Sequence, residues 1–133
     1  MKFAIIGNIY QSEKSLRAEH LLGLLRHHKA KIVVEKAFAD FLHREQHLSI
    51  PVDEQFEGKA FEADMVISLG GDGPFLKAAS IVGSRNIPIL GINTGRLGFL
   101  ADILPEEMDV TIDEIYANHY KNYLIYFGIK KSK

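Results

Sequence analysis

Apolar residues in this chain fall into short unbroken runs, separated by stretches in which they recur every three or four positions. Phe3 to Ile6 is wholly apolar and is closed by Gly7-Asn8, the pattern of a strand covered on both faces, as in parallel sheets. From Ser12 the spacing of Leu16, Leu21, Leu22, Leu24 and Leu25 is helical. Ser12 is placed to cap that helix, Glu13 lies in its first turn, and His27-His28-Lys29 stands where basic groups suit a helix C-terminus. Ile32-Val33-Val34 predicts a second strand, and Phe38, Phe41 and Leu42 mark a second helix face. Residues 49–62 are polar, interrupted by Pro51 and Gly58, and read as loop. Met65-Val66-Ile67-Ser68-Leu69 is a third buried strand that runs straight into Gly70-Gly71-Asp72-Gly73. A helix should open with Pro74 as its first residue, where a missing N–H costs nothing. Phe75, Leu76, Ala79 and Val82 give it an apolar side and Gly83 stops it. Ile87-Pro88-Ile89-Leu90-Gly91-Ile92 is a fourth strand, with Pro88 near its start, and a last helix should run from Pro105 to about His119. This alternation predicts an α/β fold, an open parallel sheet with helices on both faces.

Length and composition fit that picture. The 133 residues, 47% of them hydrophobic and 25% charged, suffice for one ordinary domain with a real core. Sixteen basic residues against seventeen acidic ones give a net charge of -1, so no global field draws in nucleic acid or an anionic membrane, and a polyanionic ligand must be held locally. The absence of cysteine excludes disulfides and zinc–thiolate sites and fits a reducing compartment, so a cytoplasmic location is expected. No apolar run approaches the ~18 residues of a membrane span, and residues 1–7 read better as a strand than as a secretory signal. The six histidines show no ligand spacing with nearby carboxylates and read as surface residues. Glu106, Glu107, Asp109, Asp113 and Glu114 read as a solvated helix face.

Two segments carry chemistry. Gly70-Gly71-Asp72-Gly73 sits between a buried strand and a helix, and in open α/β sheets ligands bind beyond the carboxyl ends of the strands. Glycines let phosphate approach the backbone without an intervening Cβ, and the following helix start adds N–H groups and a partial positive charge. A carboxylate beside phosphate is repelled, so Asp72 makes sense there if it holds a metal or accepts a proton from an attacking hydroxyl. The plainer reading is a tight turn with Asp72 as a helix cap. In the second segment, Gly91-Ile92-Asn93-Thr94-Gly95-Arg96-Leu97-Gly98-Phe99-Leu100-Ala101-Asp102, the glycines again imply close backbone approach. Asn93 and Thr94 bring hydrogen-bonding groups to a strand end, while Leu97, Phe99 and Leu100 fit core packing over the sheet.

The Gly-Gly-Asp-Gly turn resembles one shared by NAD kinases, diacylglycerol and sphingosine kinases, and 6-phosphofructokinases. The second segment looks like the NAD kinase pattern and unlike the Gly-Thr-Gly-Asn-Asp arrangement of the lipid kinases. Resemblance to the NAD kinase family extends from Met1 to about Tyr120 and includes Leu76-Lys77-Ala78-Ala79 and Pro105-Glu106-Glu107-Met108. It implies an N-terminal nucleotide-binding domain over 1–120 that transfers a phosphoryl group from ATP, with a divalent cation such as Mg²⁺, to the 2′-hydroxyl of NAD, giving NADP. Asp72 matches the family's catalytic proton acceptor. The nucleotide-binding set implied is Gly70, Gly71, Asp72, Gly73, Lys77, Asn93, Thr94, Gly95, Arg96 and Phe99. Of these, Lys77 matches a basic position associated with the dinucleotide and Phe99 an aromatic near the adenine. Taken without the family, Lys77 reads as a solvated surface charge. The implied partners are small-molecule nucleotides, with neither nucleic acid nor membrane among them, and family members form homo-oligomers at full length.

Two departures stand out. The family generally carries Thr or Ser where this chain has Pro74, so a hydroxyl and an N–H are both gone. The family's β-rich C-terminal domain, with its Asn-Glu pair and Thr-Pro-Thr-Gly-Ser-Thr-Ala-Tyr type segment, has no counterpart among these residues. Residues 121–133 stand outside the family pattern. They form either an edge strand with a basic end or the product of a reading frame lost near Tyr120, and on the second reading the chain is truncated and inactive alone. Two functional alternatives follow: a non-catalytic nucleotide-binding remnant, and a Gly-Gly-Asp-Gly kinase acting on another hydroxyl acceptor such as a lipid.

Overall fold

The computed structural model describes residues 1–7, 15–94, 103–117 and 129–131. In chain order the elements are β1 (Lys2–Gly7), α1 (Ser15–His27), β2 (Lys31–Glu35), α2 (Lys36–Gln46), β3 (Gln55–Phe56), β4 (Met65–Gly70), α3 (Asp72–Val82), β5 (Pro88–Asn93), α4 (Met108–Tyr116) and β6 (Ile129–Lys131). The strands form one sheet in the order β3-β2-β1-β4-β5-β6. Neighbours from β3 to β5 pair in parallel, and β6 runs antiparallel along the outer edge of β5, with Leu90 opposite Ile129.

Each strand points alternate side chains to opposite faces, and both faces are apolar, so each needs a cover. On one face Phe3, Ile5, Val34, Met65, Ile67, Leu90 and Ile92 pack under α1, α2 and α4, which contribute Leu21, Leu25, Phe41, Leu42, Met108 and Ile112. On the other, Ala4, Ile6, Val33, Val66 and Ile89 meet Phe75, Ala78, Ile81 and Val82 of α3, with Phe56 and Phe61 alongside. Given this strand order, handedness fixes the face each helix covers. The crossovers β1-α1-β2 and β4-α3-β5 lead away from the centre in opposite directions, and a right-handed connection then sends their helices to opposite faces. The sheet therefore reverses its order between β1 and β4, and the crevice between their C-terminal ends is the switch point where α/β folds bind ligands.

The sequence expectation of a parallel sheet covered on both faces holds, with four differences in detail. Within the expected 49–62 loop, Val52–Glu54 forms a 3-10 turn and Gln55–Phe56 adds a short strand beside β2; two residues are too few to show a periodic signal. Helix α3 begins at Asp72, which makes Pro74 its third residue and not its first. The ring fits because no N–H in the first turn has an acceptor four residues back. Helix α4 spans Met108–Tyr116 after a 3-10 turn at Pro105–Glu107, so the described helix is shorter than the expected one. In the tail the edge strand is Ile129–Lys131, beyond most of the aromatic run that suggested it. Ser12 and Glu13, read as the start of α1, lie outside the described residues.

Candidate functional site

The Gly70-Gly71-Asp72-Gly73 turn is formed by the end of β4 and the start of α3, directly at the switch point. Gly70 has φ of 151°, a conformation that side-chain-bearing residues rarely adopt, and this lets the chain turn sharply out of the sheet. Gly71 is the residue before α3, with φ of -138°, and Asp72 and Gly73 form the helix's first two positions. The Phe75 N–H reaches back to the Gly71 carbonyl at 3.4 Å. The first-turn N–H groups have no acceptor within the helix and carry the positive end of its dipole; Pro74 has none to offer.

The glycines divide by cause. A Cβ on Gly7, at the end of β1, would collide with the Phe38 ring, so that glycine is required by packing of α2 against the sheet. Gly71 and Gly73 are different, because a Cβ on either would meet no atom of the described residues within 4 Å and neither lies in the left-handed region. A glycine in a helix interior costs about 1 kcal/mol relative to alanine, an upper bound for one in the first turn. Nothing within the described chain requires it, and the open space above it is where a Cβ would stand.

The end of β5 lies beside the turn. Gly70 is opposite Asn93 in the β4–β5 register, and the Thr94 N–H donates to the Gly70 carbonyl at 2.7 Å. Asn93 and Thr94 are both buried. The Asn93 N–H donates to the Ile103 carbonyl at 2.7 Å, and the Ile103 N–H to the Gly91 carbonyl at 3.2 Å. The chain that leaves the sheet after Thr94 is thus tied back to the same strand at Ile103. Gly95, Arg96 and Phe99 lie outside the described residues.

Lys77 is one helical turn beyond Gly73 on the same side of α3, and helical side chains lean toward the N-terminus. Its Nζ meets Glu35 Oε2 at 2.6 Å. Sequence reasoning passed over Glu35, the buried last residue of β2. The available signal was a carboxylate ending an apolar strand at the ligand-binding edge of a parallel sheet. Of the expected site residues, then, the fold gathers Gly70, Gly71, Asp72, Gly73, Asn93 and Thr94 at two adjacent strand ends, with Lys77 one turn away.

Compared with known proteins, residues 3–120 match the family model described as the ATP-NAD kinase N-terminal domain. The chain belongs to the ATP-NAD kinase family. An NAD kinase of Bacteroides fragilis is 58% identical over 120 residues, which cover 90% of this chain and 41% of that protein. One from Cytophaga hutchinsonii is 35% identical over 123 residues, 91% of this chain and 42% of the relative. The chain thus spans about two fifths of the length of these ATP-NAD kinase relatives. A crystal structure of yeast NADH kinase complexed with NADH superposes with a TM-score of 0.73 at 19% identity, covering 90% of this chain and 38% of the yeast one, and shares the fold.

Among the described residues no three His, Cys, Asp or Glu side chains are gathered where they could hold a metal ion, and no helix is long and apolar enough to cross a membrane. The described histidines lie at the surface as expected, none of them buried, and two of them face carboxylates there. His20 meets Asp109 at 2.7 Å and His28 meets Asp113 at 3.1 Å, so part of the acidic face of α4 is turned to α1.

Proposed function

We propose that this domain binds nucleotide phosphates at the Gly70–Gly73 turn and supplies the proton acceptor for ATP-dependent phosphorylation of the 2′-hydroxyl of NAD. The observation that carries the reading is the unfilled space over Gly71 and Gly73, at the switch point and against a helix N-terminus, where a phosphate can approach the backbone. Gly70, Gly71 and Gly73 cradle phosphate in this account. Asn93, Thr94, Gly95 and Arg96 bound the dinucleotide side, and Phe99 stands by the adenine. Lys77 contacts a phosphate.

In the reaction the 2′-oxygen bonds to the γ-phosphorus as the bond to the β,γ-bridging oxygen breaks. ADP leaves with that electron pair, and the Asp72 carboxylate takes the hydroxyl proton. Phosphoryl transfer asks little covalent chemistry of a protein and much positioning. Among the described residues Asp72 is the carboxylate of the turn itself, and it follows the glycine cradle directly. The described residues do not form a protein cage for a divalent cation. A cation such as Mg²⁺ would enter on the phosphates, as is usual for kinases, and the proton step assigned to Asp72 does not depend on it. The absence of cysteine supports a cytoplasmic setting; homo-oligomeric assembly rests on the family resemblance.

The test uses a chimaera that joins residues 1–120 to the part of the Bacteroides fragilis relative beyond the matched region. It should form NADP from NAD and ATP, and Asp72→Asn should lower turnover by at least about 10²-fold, the usual contribution of a positioned base, with the melting temperature unchanged. Turnover within a few-fold of the parent would contradict the role given to Asp72.

A further inference from the structure

We propose that Glu35 is a positioning residue that fixes the Lys77 ammonium at the mouth of the switch-point crevice, as a preformed contact for a nucleotide phosphate. The proposal rests on the reading of the site above. Glu35 ends β2 and shares the α3 side of the sheet with Val33 by strand alternation. Strands β2 and β4 flank β1, two strand spacings apart, roughly 9–10 Å. Lys77, borne on the helix that follows β4, therefore reaches across the end of β1 to make its 2.6 Å contact with Glu35. The pair ties α3 to the end of β2.

The two partners differ in burial. The Glu35 side chain is 7% exposed and that of Lys77 is 51% exposed, so the acid is the fixed member and the ammonium the one that a ligand can reach. Oε1 of Glu35 is buried and has no hydrogen-bond partner among the described residues. A buried carboxylate with one oxygen unsatisfied is a poor stabilising device, since apolar replacements of buried ion pairs are often neutral or better. A positioning role accounts for its presence. A free lysine would lose rotamer freedom on meeting a phosphate, whereas one already held by Glu35 has lost it beforehand. Gly73, one turn back on the same side of α3, has no side chain to stand beside Lys77, and a Cβ there would meet no described atom within 4 Å.

Calorimetric titration of the chain with NAD and, separately, with ADP tests this and shows which phosphate Lys77 serves. Glu35→Met fills the same volume without charge, and Lys77→Met removes the ammonium. Each should weaken binding of one probe about fivefold, while the double variant binds no more weakly than Lys77→Met alone, the signature of two residues acting as a unit. The melting temperature of Glu35→Met should hold or rise, because the half-exposed ammonium is left to solvent; it establishes that the variant is folded, and the affinities separate positioning from a merely structural role. Should that variant fold poorly, Glu35→Gln, which keeps size and polarity, takes its place under the same criteria. Wild-type affinity in the Glu35 variants, or losses that multiply in the double variant, would overturn the proposal and leave the site reading standing. No binding of either probe by the wild-type chain would contradict the site reading and this proposal with it.

Discussion

Tyr116, the last residue of α4, stacks on His28 with ring centroids 4.3 Å apart and planes 9° apart, and its hydroxyl is buried with no hydrogen-bond partner among the described residues. Burial, and to a lesser degree the Asp64 carboxylate, raises the phenol above its ordinary value of 10.0. In the unfolded chain the phenol ionises at that ordinary value, so above pH 10 the unfolded state gives up the proton first. Stability due to Tyr116 is complete below pH 10 and is lost as pH rises toward the higher folded value. Urea unfolding at pH 8 and pH 11 should show a smaller alkaline loss for Tyr116→Phe than for the parent, and equal losses would contradict the assignment. At pH 8 the variant should match or exceed the parent, since it removes an unsatisfied buried hydroxyl. No residue-level pattern foretold this. Tyr116 acquires its environment from α1, 88 positions away in the chain for His28, and only the fold brings them together. Glu35 was illegible for a related reason: a charged residue at a strand end looks solvated until α3 delivers Lys77 to it.

Helix α3 is held at its far end by Arg85, whose Nη1 donates to the Phe61 carbonyl at 2.6 Å, Nη2 to that of Ile81 at 3.0 Å and Nε to that of Val82 at 3.3 Å. Its guanidinium lies 4.2 Å from the Phe61 ring centroid. These contacts satisfy carbonyls that a helix end leaves open and join α3 to the chain entering β4. Arg85→Ala should cost about 1–2 kcal/mol in urea unfolding, with solvent exposure keeping it below the sum of charged hydrogen bonds. Arg85→Lys should recover less than half, because an ammonium cannot fork to three acceptors. A loss under about 0.5 kcal/mol for the alanine variant, the scale of an ordinary surface change, would remove Arg85 from this role. Elements with a long apolar run or a full helical period were legible: β1, β2, β4, β5 and the core faces of α1 and α2; on α3 Phe75 and Val82 are buried as read, but Leu76 is 58% exposed and Ala78 and Ile81 take the core places. Strand β3 was not, since Gln55 and Phe56 pair with β2 by proximity and carry no pattern, nor were the His20–Asp109 and His28–Asp113 contacts that join α1 to α4.

At the scale of the whole molecule, the strand order β3-β2-β1-β4-β5 puts the Gly70–Gly73 turn at the point where the sheet reverses direction, and the site follows from topology as much as from motif. The motif could be read from sequence because its glycines and Asp72 are contiguous. Its setting could not, because strand order and the approach of Asn93 to Gly70 depend on long-range pairing. The glycines differ in cause: Phe38 explains Gly7, and nothing in the described chain explains Gly73 or Gly23 of α1, of which only Gly73 stands at the switch point. The most direct test is therefore the affinity of Gly73→Ala for ADP, read by calorimetry beside its stability. With the phosphate cradle at this turn, the variant should be as stable as the parent or up to about 1 kcal/mol more so. It should also bind ADP at least about tenfold more weakly, a loss of roughly 1.4 kcal/mol or more. Undiminished affinity in a fully folded variant would contradict the placement of phosphate over Gly73 and the function built on it.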